Sequence, residues 1–250
     1  MRIATFNIHH GTVGKDGEVD PQQLGRVCAG FDADVLALEE VDQGTIRTGG
    51  ADLAAEVARA CGMRHVFGPA RRYPGGWYGN AVLVRGEIHA WSVLDLPRVP
   101  RWKRWQEHRS AVEVHATVAG RAIRIVATHL AVPKAVNGPQ LDHLLRTVTA
   151  RPGPLVVLGD FNRVPAGVEA AATAAGLTFV HHGPTSPVEP RRRLSIDHVL
   201  LSAGLVRVAA EVRATAMSDH AALLVDVEPV DGVSRPGGAP ADRATRRDPA

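Results

Sequence analysis

The run Leu155-Val156-Val157-Leu158, closed at once by Gly159-Asp160-Phe161-Asn162, limits the fold more than any other stretch of the chain. Four consecutive apolar residues bounded by turn formers predict a strand buried on both faces, which requires a layer on each side of its sheet. The construction recurs. Residues 2–8 carry Thr5-Phe6-Asn7, residues 34–38 end in Glu39-Glu40-Val41, and residues 121–128 run into His129-Leu130. Two more polar clusters, Ile196-Asp197-His198 and Ser218-Asp219-His220, border the apolar stretches 197–201 and 221–227. A polar residue just beyond a buried strand is rigidly held at the rim of the sheet, where sites are built with the least positional slack.

Between these strands the pattern switches to helical periods. Asp20-Pro21 predicts a helix start, with Asp as N-cap, Pro in the first turn, and Leu24 and Val27 on one face. Residues 51–60 predict a second helix closed by Gly62. Residues 137–151 predict a third, with Leu141, Leu144, Leu145 and Val148 aligned. Residues 167–175 predict a fourth, stopped by Gly176. Residues 80–84 and 110–117 read as strands, and Ala119-Gly120 as the turn that folds 121–128 back on the latter. Strands alternating with helices, with no repeat and no linker, predict one α/β domain over residues 1–228. From Pro229 the composition shifts to Pro, Gly, Ala, Arg and Asp, which predicts a disordered tail over 229–250.

The 250 residues are 45% hydrophobic and 22% charged, which suits a globular protein able to build its own core. Two cysteines, Cys28 and Cys61, are too few for a disulfide framework and read as buried thiols. No apolar stretch reaches the length of a membrane span. The first strand follows Met1 directly, leaving no room for a signal peptide, so the expectation is a cytoplasmic protein without integral membrane association, and a monomer. The net charge of +3 is compatible with a polyanionic partner.

The rim residues form the inventory of divalent-metal phosphoester chemistry. Glu40, a carboxylate directly after an apolar run, can hold a hard cation, and Asn7 can add a carbonyl oxygen or meet a phosphate oxygen. Asp160 and Asn162, two apart, would face the same side of an extended chain and grip the attacking water together. His220 is the candidate acid/base or phosphate-binding group, with Asp197 to orient it and His129 to donate to the phosphoryl oxygens. Taken singly, each has a plainer use: Asn7 as a turn former, Glu39 and Glu40 as a solvated edge, His129 as a satisfied buried histidine. Only the ordered set argues for chemistry.

That ordered set, together with Tyr78-Gly79-Asn80-Ala81-Val82, resembles the endonuclease/exonuclease/phosphatase superfamily with the DNase I-like fold, over residues 2–227. The resemblance implies a four-layer α-β-β-α sandwich of two packed mixed sheets with the site at one end. It implies phosphoester hydrolysis with Mg²⁺ or Mn²⁺. By motif position, Asn7, Glu40 and Asp219 would belong to the metal site, and His129, Asp160, Asn162, Asp197 and His220 to catalysis. His9 and His129 depart from the abasic-site repair branch, which has Asp and Tyr there, and the Trp-Cys-Asp-Arg element of inositol polyphosphate 5-phosphatases is missing near Asp197.

The substrate is read from the loops. Arg98, Arg101, Lys103, Arg104 and Arg109 interleave with Trp102 and Trp105, a mixture that can hold phosphates and stack on bases. Asn80, Arg101, Trp102, Arg104 and Arg193 are the candidate substrate contacts, and Arg71-Arg72-Tyr73 reads as part of a flexible loop. The first reading is a phosphodiesterase acting on nucleic acid. The second is the same chemistry on a lipid or small phosphoester, and the third is a noncatalytic binding module on this fold. His181-His182 reads as surface, and His198, facing away from Asp197 in a strand, as structural.

Overall fold

The computed structural model describes residues 1–13, 17–98, 107–186 and 194–230. Its elements are β1 (Arg2–Asn7), α1 (Pro21–Ala29), β2 (Val35–Gln43), α2 (Leu53–Cys61), β3 (Arg64–Tyr73), β4 (Gly76–Val84), β5 (Gly86–Asp95) and β6 (Ser110–Val118). There follow β7 (Arg121–His129), α3 (Lys134–Thr149), β8 (Leu155–Asp160), α4 (Pro165–Ala174), β9 (Leu177–Phe179), β10 (Asp197–Ser202), β11 (Leu205–Arg213) and β12 (Ala222–Pro229). Two six-stranded sheets form, ordered β11-β12-β1-β2-β4-β3 and β5-β6-β7-β8-β10-β9. Each holds one parallel pair, β1 with β2 and β7 with β8, joined through a helix, so both sheets are mixed.

The apolar runs divide between three cores, and the division accounts for the runs. Val156 and Leu158 of β8 face the opposite sheet, alongside Ile3, Val35, Val82, Val199 and Val225. Leu155 and Val157, one residue out of phase, pack outward under α3 and α4 with Leu144, Leu145 and Val168. Ala4, Phe6, Leu36 and Leu38 do the same under α1 and α2. Each fully buried Leu, Ile or Phe contributes about 1.5–3 kcal/mol, and a strand with two buried faces uses every position. The result is the four-layer α-β-β-α sandwich.

Local signals act as written. Asp20 caps α1 by accepting from the Gln23 amide at 2.8 Å, Asp52 caps α2 through the Ala55 amide at 3.0 Å, and Gly62 ends α2 in the left-handed region at φ 63°. At Gly159 the backbone has φ 142°, and a Cβ there would lie 1.9 Å from the Thr128 carbonyl oxygen, so only glycine lets β7 and β8 close in parallel beside the site.

The structure departs from the sequence reading in several places. α3 begins at Lys134, three residues before the expected Asn137, and carries Pro139 inside it; the expected start had put that proline in the first turn, the one place helices welcome it. β2 does not stop at Leu38. It continues to Gln43 through a bulge at Glu39 and Glu40, where Glu40 adopts φ 58°. Residues 71–73 are not loop but the end of β3, paired with 76–78 of β4, and the Arg72 guanidinium lies 4.0 Å from the Trp77 ring centroid. β12 reaches Pro229, and residues 231–250 of the expected tail lie outside the described residues.

Candidate active site

Strand register sets the site's geometry. Parallel β7 and β8 end with His129 opposite Asp160, and antiparallel β10 begins with Asp197 opposite Asp160, so three polar side chains stand in a row across one rim. On the facing sheet Asn7 lies opposite Glu39, and the bulge that follows turns Glu40 toward it. The two rims meet through one amide: Asn7 Nδ2 donates to Glu40 Oε1 at 3.2 Å and to Asp160 Oδ2 at 3.1 Å. The same Asp160 oxygen lies 3.4 Å from His129 Nε2 and 4.0 Å from His220 Nε2. His220 Nδ1 faces both Asp197 oxygens, at 3.0 and 3.1 Å.

Backbone hydrogen bonds hold these side chains. Ser218 Oγ donates to the Asn7 carbonyl at 2.7 Å and accepts from the His220 amide at 3.0 Å, tying the segment before β12 to the end of β1. Thr185 Oγ1 accepts from the amides of Ile196 and Asp197 at 3.3 and 3.2 Å. The chain beyond Asp160 turns instead of extending. Asn162 has φ 47°, its amide donates back to Asp160 Oδ1 at 2.8 Å, and its side chain donates to the Leu130 carbonyl at 3.0 Å. Asn162 therefore fixes the Asp160 carboxylate, and the same-face pairing expected from an extended chain is absent.

Burial and charge set the protonation states. Burial and the neighbouring charge of Asp197 lift Asp160 to about 7, against the opposing pull of His220 and the amide donors of Asn162 and Asn7. Burial would lower His220, but Asp197, with Asp160 and Asp219, outweighs it and raises the imidazole to about 10. Burial, reinforced by the positive charge of Arg109, pushes His129 well below 6.5. At neutral pH His220 is thus cationic and His129 neutral. Glu39 is fully buried, accepts from Thr5 Oγ1 at 2.8 Å, and is pushed well up by burial and by Asp197.

The donor set fits a hard cation. Asp160, Asp197 and His220 present ligand atoms within 4.8 Å of one another and could hold a metal ion. Asp197 and His220 already satisfy one another, whereas Glu40 and Asp160 face each other across a single amide. Two carboxylates held that close leave negative charge which a divalent ion, bound through oxygen, would neutralise.

The remaining candidates fall elsewhere. Asp219 is half-buried, with its Oδ1 3.5 Å from Ser218 Oγ, and acts on His220 through its charge. Asn80 is buried at the same end and donates to the Ser110 carbonyl at 3.0 Å, bridging the two sheets. Arg101, Trp102, Arg104 and Arg193 lie outside the described residues. His198 is buried in a structural role, its Nε2 at 2.7 Å from the Arg163 carbonyl and its Nδ1 at 3.1 Å from His182 Nε2. His182 is therefore half-buried, while His181 is exposed.

Sequence reasoning missed His10 and Thr185. His10 Nε2 lies 3.3 Å from Glu40 Oε2, on a backbone left-handed at both His9 (φ 43°) and His10 (φ 59°). Strain of that kind gathers at functional sites, but no spacing rule announces it.

The profile described as the Endonuclease/Exonuclease/phosphatase family matches residues 4–220. No curated protein matches the chain by sequence. Among solved structures, an endonuclease/exonuclease/phosphatase from Beutenbergia cavernae is similar with TM-score 0.73 at 23% identity, covering 91% of this chain and 71% of that one. An endonuclease/exonuclease/phosphatase family protein from Leptotrichia buccalis gives TM-score 0.73 at 18% identity, covering 91% and 99%. D. rerio TDP2, complexed with single strand DNA product, gives TM-score 0.70 at 15% identity, covering 91% and 98%. Among the described residues no helix is long and apolar enough to cross a membrane.

Proposed function

The chain belongs to the endonuclease/exonuclease/phosphatase family, and we propose that it is a Mg²⁺- or Mn²⁺-dependent phosphodiesterase acting on nucleic acid. One observation carries the reading: Asn7, Glu40, His129, Asp160, Asp197 and His220, spread over more than 200 residues of sequence, are linked side chain to side chain at one end of the sandwich. Burying that many polar groups together costs stability and is kept where chemistry uses it.

Glu40 and Asp160 would hold the metal, and Asn7, whose Nδ2 donates to both carboxylates while its Oδ1 accepts from the His9 amide, orients them in place of the ligand role its sequence position suggests. Once bound, the metal would polarise the phosphoryl group and steady the leaving oxygen. The protein's own groups do the rest. The Asp160 carboxylate, aimed by the Asn162 amide, takes a proton from the attacking water. His220, kept cationic by Asp197, donates from Nε2 to a nonbridging phosphoryl oxygen. His129 donates to the same group from the next strand. Asp219 adds negative charge behind His220.

The similarity to a structure holding a DNA product supports nucleic acid as substrate. Other structures of this fold are described as a 2',3'-cyclic phosphatase and a mannosyl-6-phosphatase, which keeps a small phosphoester as the second reading. The test is hydrolysis of bis(p-nitrophenyl) phosphate and of a substrate panel (single-stranded DNA, plasmid, RNA, sugar phosphates). We expect turnover with Mg²⁺ or Mn²⁺, none with EDTA, and losses of at least about a hundredfold in Asp160→Ala and His220→Ala. Turnover surviving in metal-free His220→Ala would overturn the mechanism, and sugar phosphates cleaved in preference to DNA and RNA would overturn the substrate.

A further inference from the structure

The turn that follows β1 carries a histidine that the reaction above does not use. Its backbone is left-handed at two successive non-glycine residues, His9 at φ 43° and His10 at φ 59°, a conformation that persists only where the surroundings over-determine it. They do so here. The His9 amide donates to Asn7 Oδ1 at 3.1 Å, the Gly11 amide to the Ile8 carbonyl at 2.8 Å, and Thr12 Oγ1 to the His9 carbonyl at 2.9 Å. The turn brings the His10 ring against the bulge of β2. His10 Nε2 stands 3.3 Å from Glu40 Oε2, and both side chains reach solvent, 17% and 21% exposed. The other ring nitrogen, Nδ1, is sealed in without a hydrogen-bond partner among the described residues and faces Asp42 Oδ1 at 3.9 Å. Asp42 is fully buried and is held by Arg47 at 2.6 and 2.7 Å and by Thr45.

The two carboxylates decide what the ring can do. A proton on Nδ1 is favourable because that nitrogen faces a buried carboxylate, where a lone pair would be repelled. Nε2 then turns its lone pair toward Glu40 Oε2, which presents lone pairs of its own, and the two call for a cation between them. At 3.3 Å the contact is long for a charge-assisted hydrogen bond, which runs about 2.7–2.9 Å. It suits two donors on one ion: atoms about 2.1 Å from a shared metal, at angles from octahedral to tetrahedral, stand about 3.0–3.4 Å apart. A metal-bound histidine almost always has an acceptor such as a carboxylate behind its second nitrogen, and Asp42 stands there. Arg47 and Thr45 occupy the Asp42 oxygens, which keeps that carboxylate behind the ring and off the ion. An imidazole ligand also changes which ion is preferred. Carboxylate and water suit Mg²⁺, whereas imidazole suits the later first-row transition ions.

We propose that His10 Nε2 is a ligand of the ion held at Glu40, with Asp42 behind the ring, so that the site favours a first-row transition ion over Mg²⁺. This rests on the metal-dependent reading above and adds to it a nitrogen ligand and an ion preference. The experiment reads Mn²⁺ bound to the full chain, without substrate, by electron spin-echo envelope modulation, in which a directly ligated imidazole nitrogen modulates the Mn²⁺ echo. We expect nitrogen modulation in the intact chain, its loss in His10→Gln while Mn²⁺ still binds, and its retention in His220→Gln. In equilibrium titrations His10→Gln should lose at least about tenfold in Co²⁺ affinity and hold its Mg²⁺ affinity within about twofold. Should His10→Gln fail to fold, the double variant His129→Gln/His220→Gln, which leaves His10 as the imidazole beside Glu40, must still show the modulation. Bound Mn²⁺ without nitrogen modulation in the intact chain, modulation that survives His10→Gln, or its loss in the double variant would overturn the proposal. Equal losses for Co²⁺ and Mg²⁺ would make His10 only a brace for Glu40 and would overturn it too. The readings beneath it fail separately: the metal site as Mn²⁺ affinity unchanged in Glu40→Gln, and the phosphodiesterase as no hydrolysis of bis(p-nitrophenyl) phosphate.

Discussion

Asp197→Asn isolates the electrostatic core of the site. The substitution keeps shape and removes the charge that faces His220 Nδ1 at 3.0 Å. His220 is raised to about 10 against burial because Asp197 is present; without it, burial is opposed only by Asp160, 4.0 Å away, and by Asp219. We expect the imidazole to return to within about one unit of its ordinary 6.5. A fall from about 10 to that range is roughly 5 kcal/mol of lost preference for the imidazolium, and the His220 side chain is only 10% exposed, so little is lost to solvent screening. The assay is an NMR titration of the His220 ring in metal-free protein: no titration between pH 6 and 8 in the intact chain, and a full curve there in the variant. Stability follows the same sign. A histidine raised on folding adds stability that is complete below about 6.5 and fades as the pH climbs through about 10. Urea unfolding of the intact chain should therefore lose ground to His220→Gln over that window. A His220 that still titrates above 9 in Asp197→Asn would refute the reasoning.

Two further outcomes test how the fold holds the site. Gly159→Ala should cost at least about 3 kcal/mol in urea unfolding, because the new Cβ meets the Thr128 carbonyl at 1.9 Å on a backbone at φ 142°; a neutral result would deny that close approach. Thr185→Val leaves the amides of Ile196 and Asp197 without their acceptor. It should cost about 1–3 kcal/mol per orphaned group and lower kcat by displacing Asp197, whereas unaltered kcat would show that Asp197 is placed without it.

The strands legible in the sequence were the eight interior ones, and the four missed, β3, β5, β9 and β11, are the four sheet edges. The reason is physical. An interior strand buries both faces and shows a dense apolar run, whereas β5 is mostly exposed, β11 has Val206 and Val208 open to solvent, and β3 carries Pro69. A proline is tolerated at an edge because no ladder bond is lost there. The site's members were readable because each terminates an interior strand or lies beside one. Their mutual geometry was not. The bulge that swings Glu40 toward Asn7 and the turn that sends Asn162 back onto Asp160 both rest on left-handed backbone at non-glycine residues, which residue identity announces only weakly. Arg109 was visible as one charge in a basic stretch; its burial and its charge beside His129 belong to the tertiary structure alone.

The central claim is that Glu40 and Asp160, brought together from opposite sheets, hold one divalent ion. Anomalous diffraction from crystals soaked in Mn²⁺ tests it most directly. The account predicts one peak about 2.0–2.3 Å from a carboxylate oxygen of each, lost in Glu40→Gln. A peak seated among Asp160, Asp197 and His220 and untouched by Glu40→Gln, or no peak at this end of the sandwich, would contradict it.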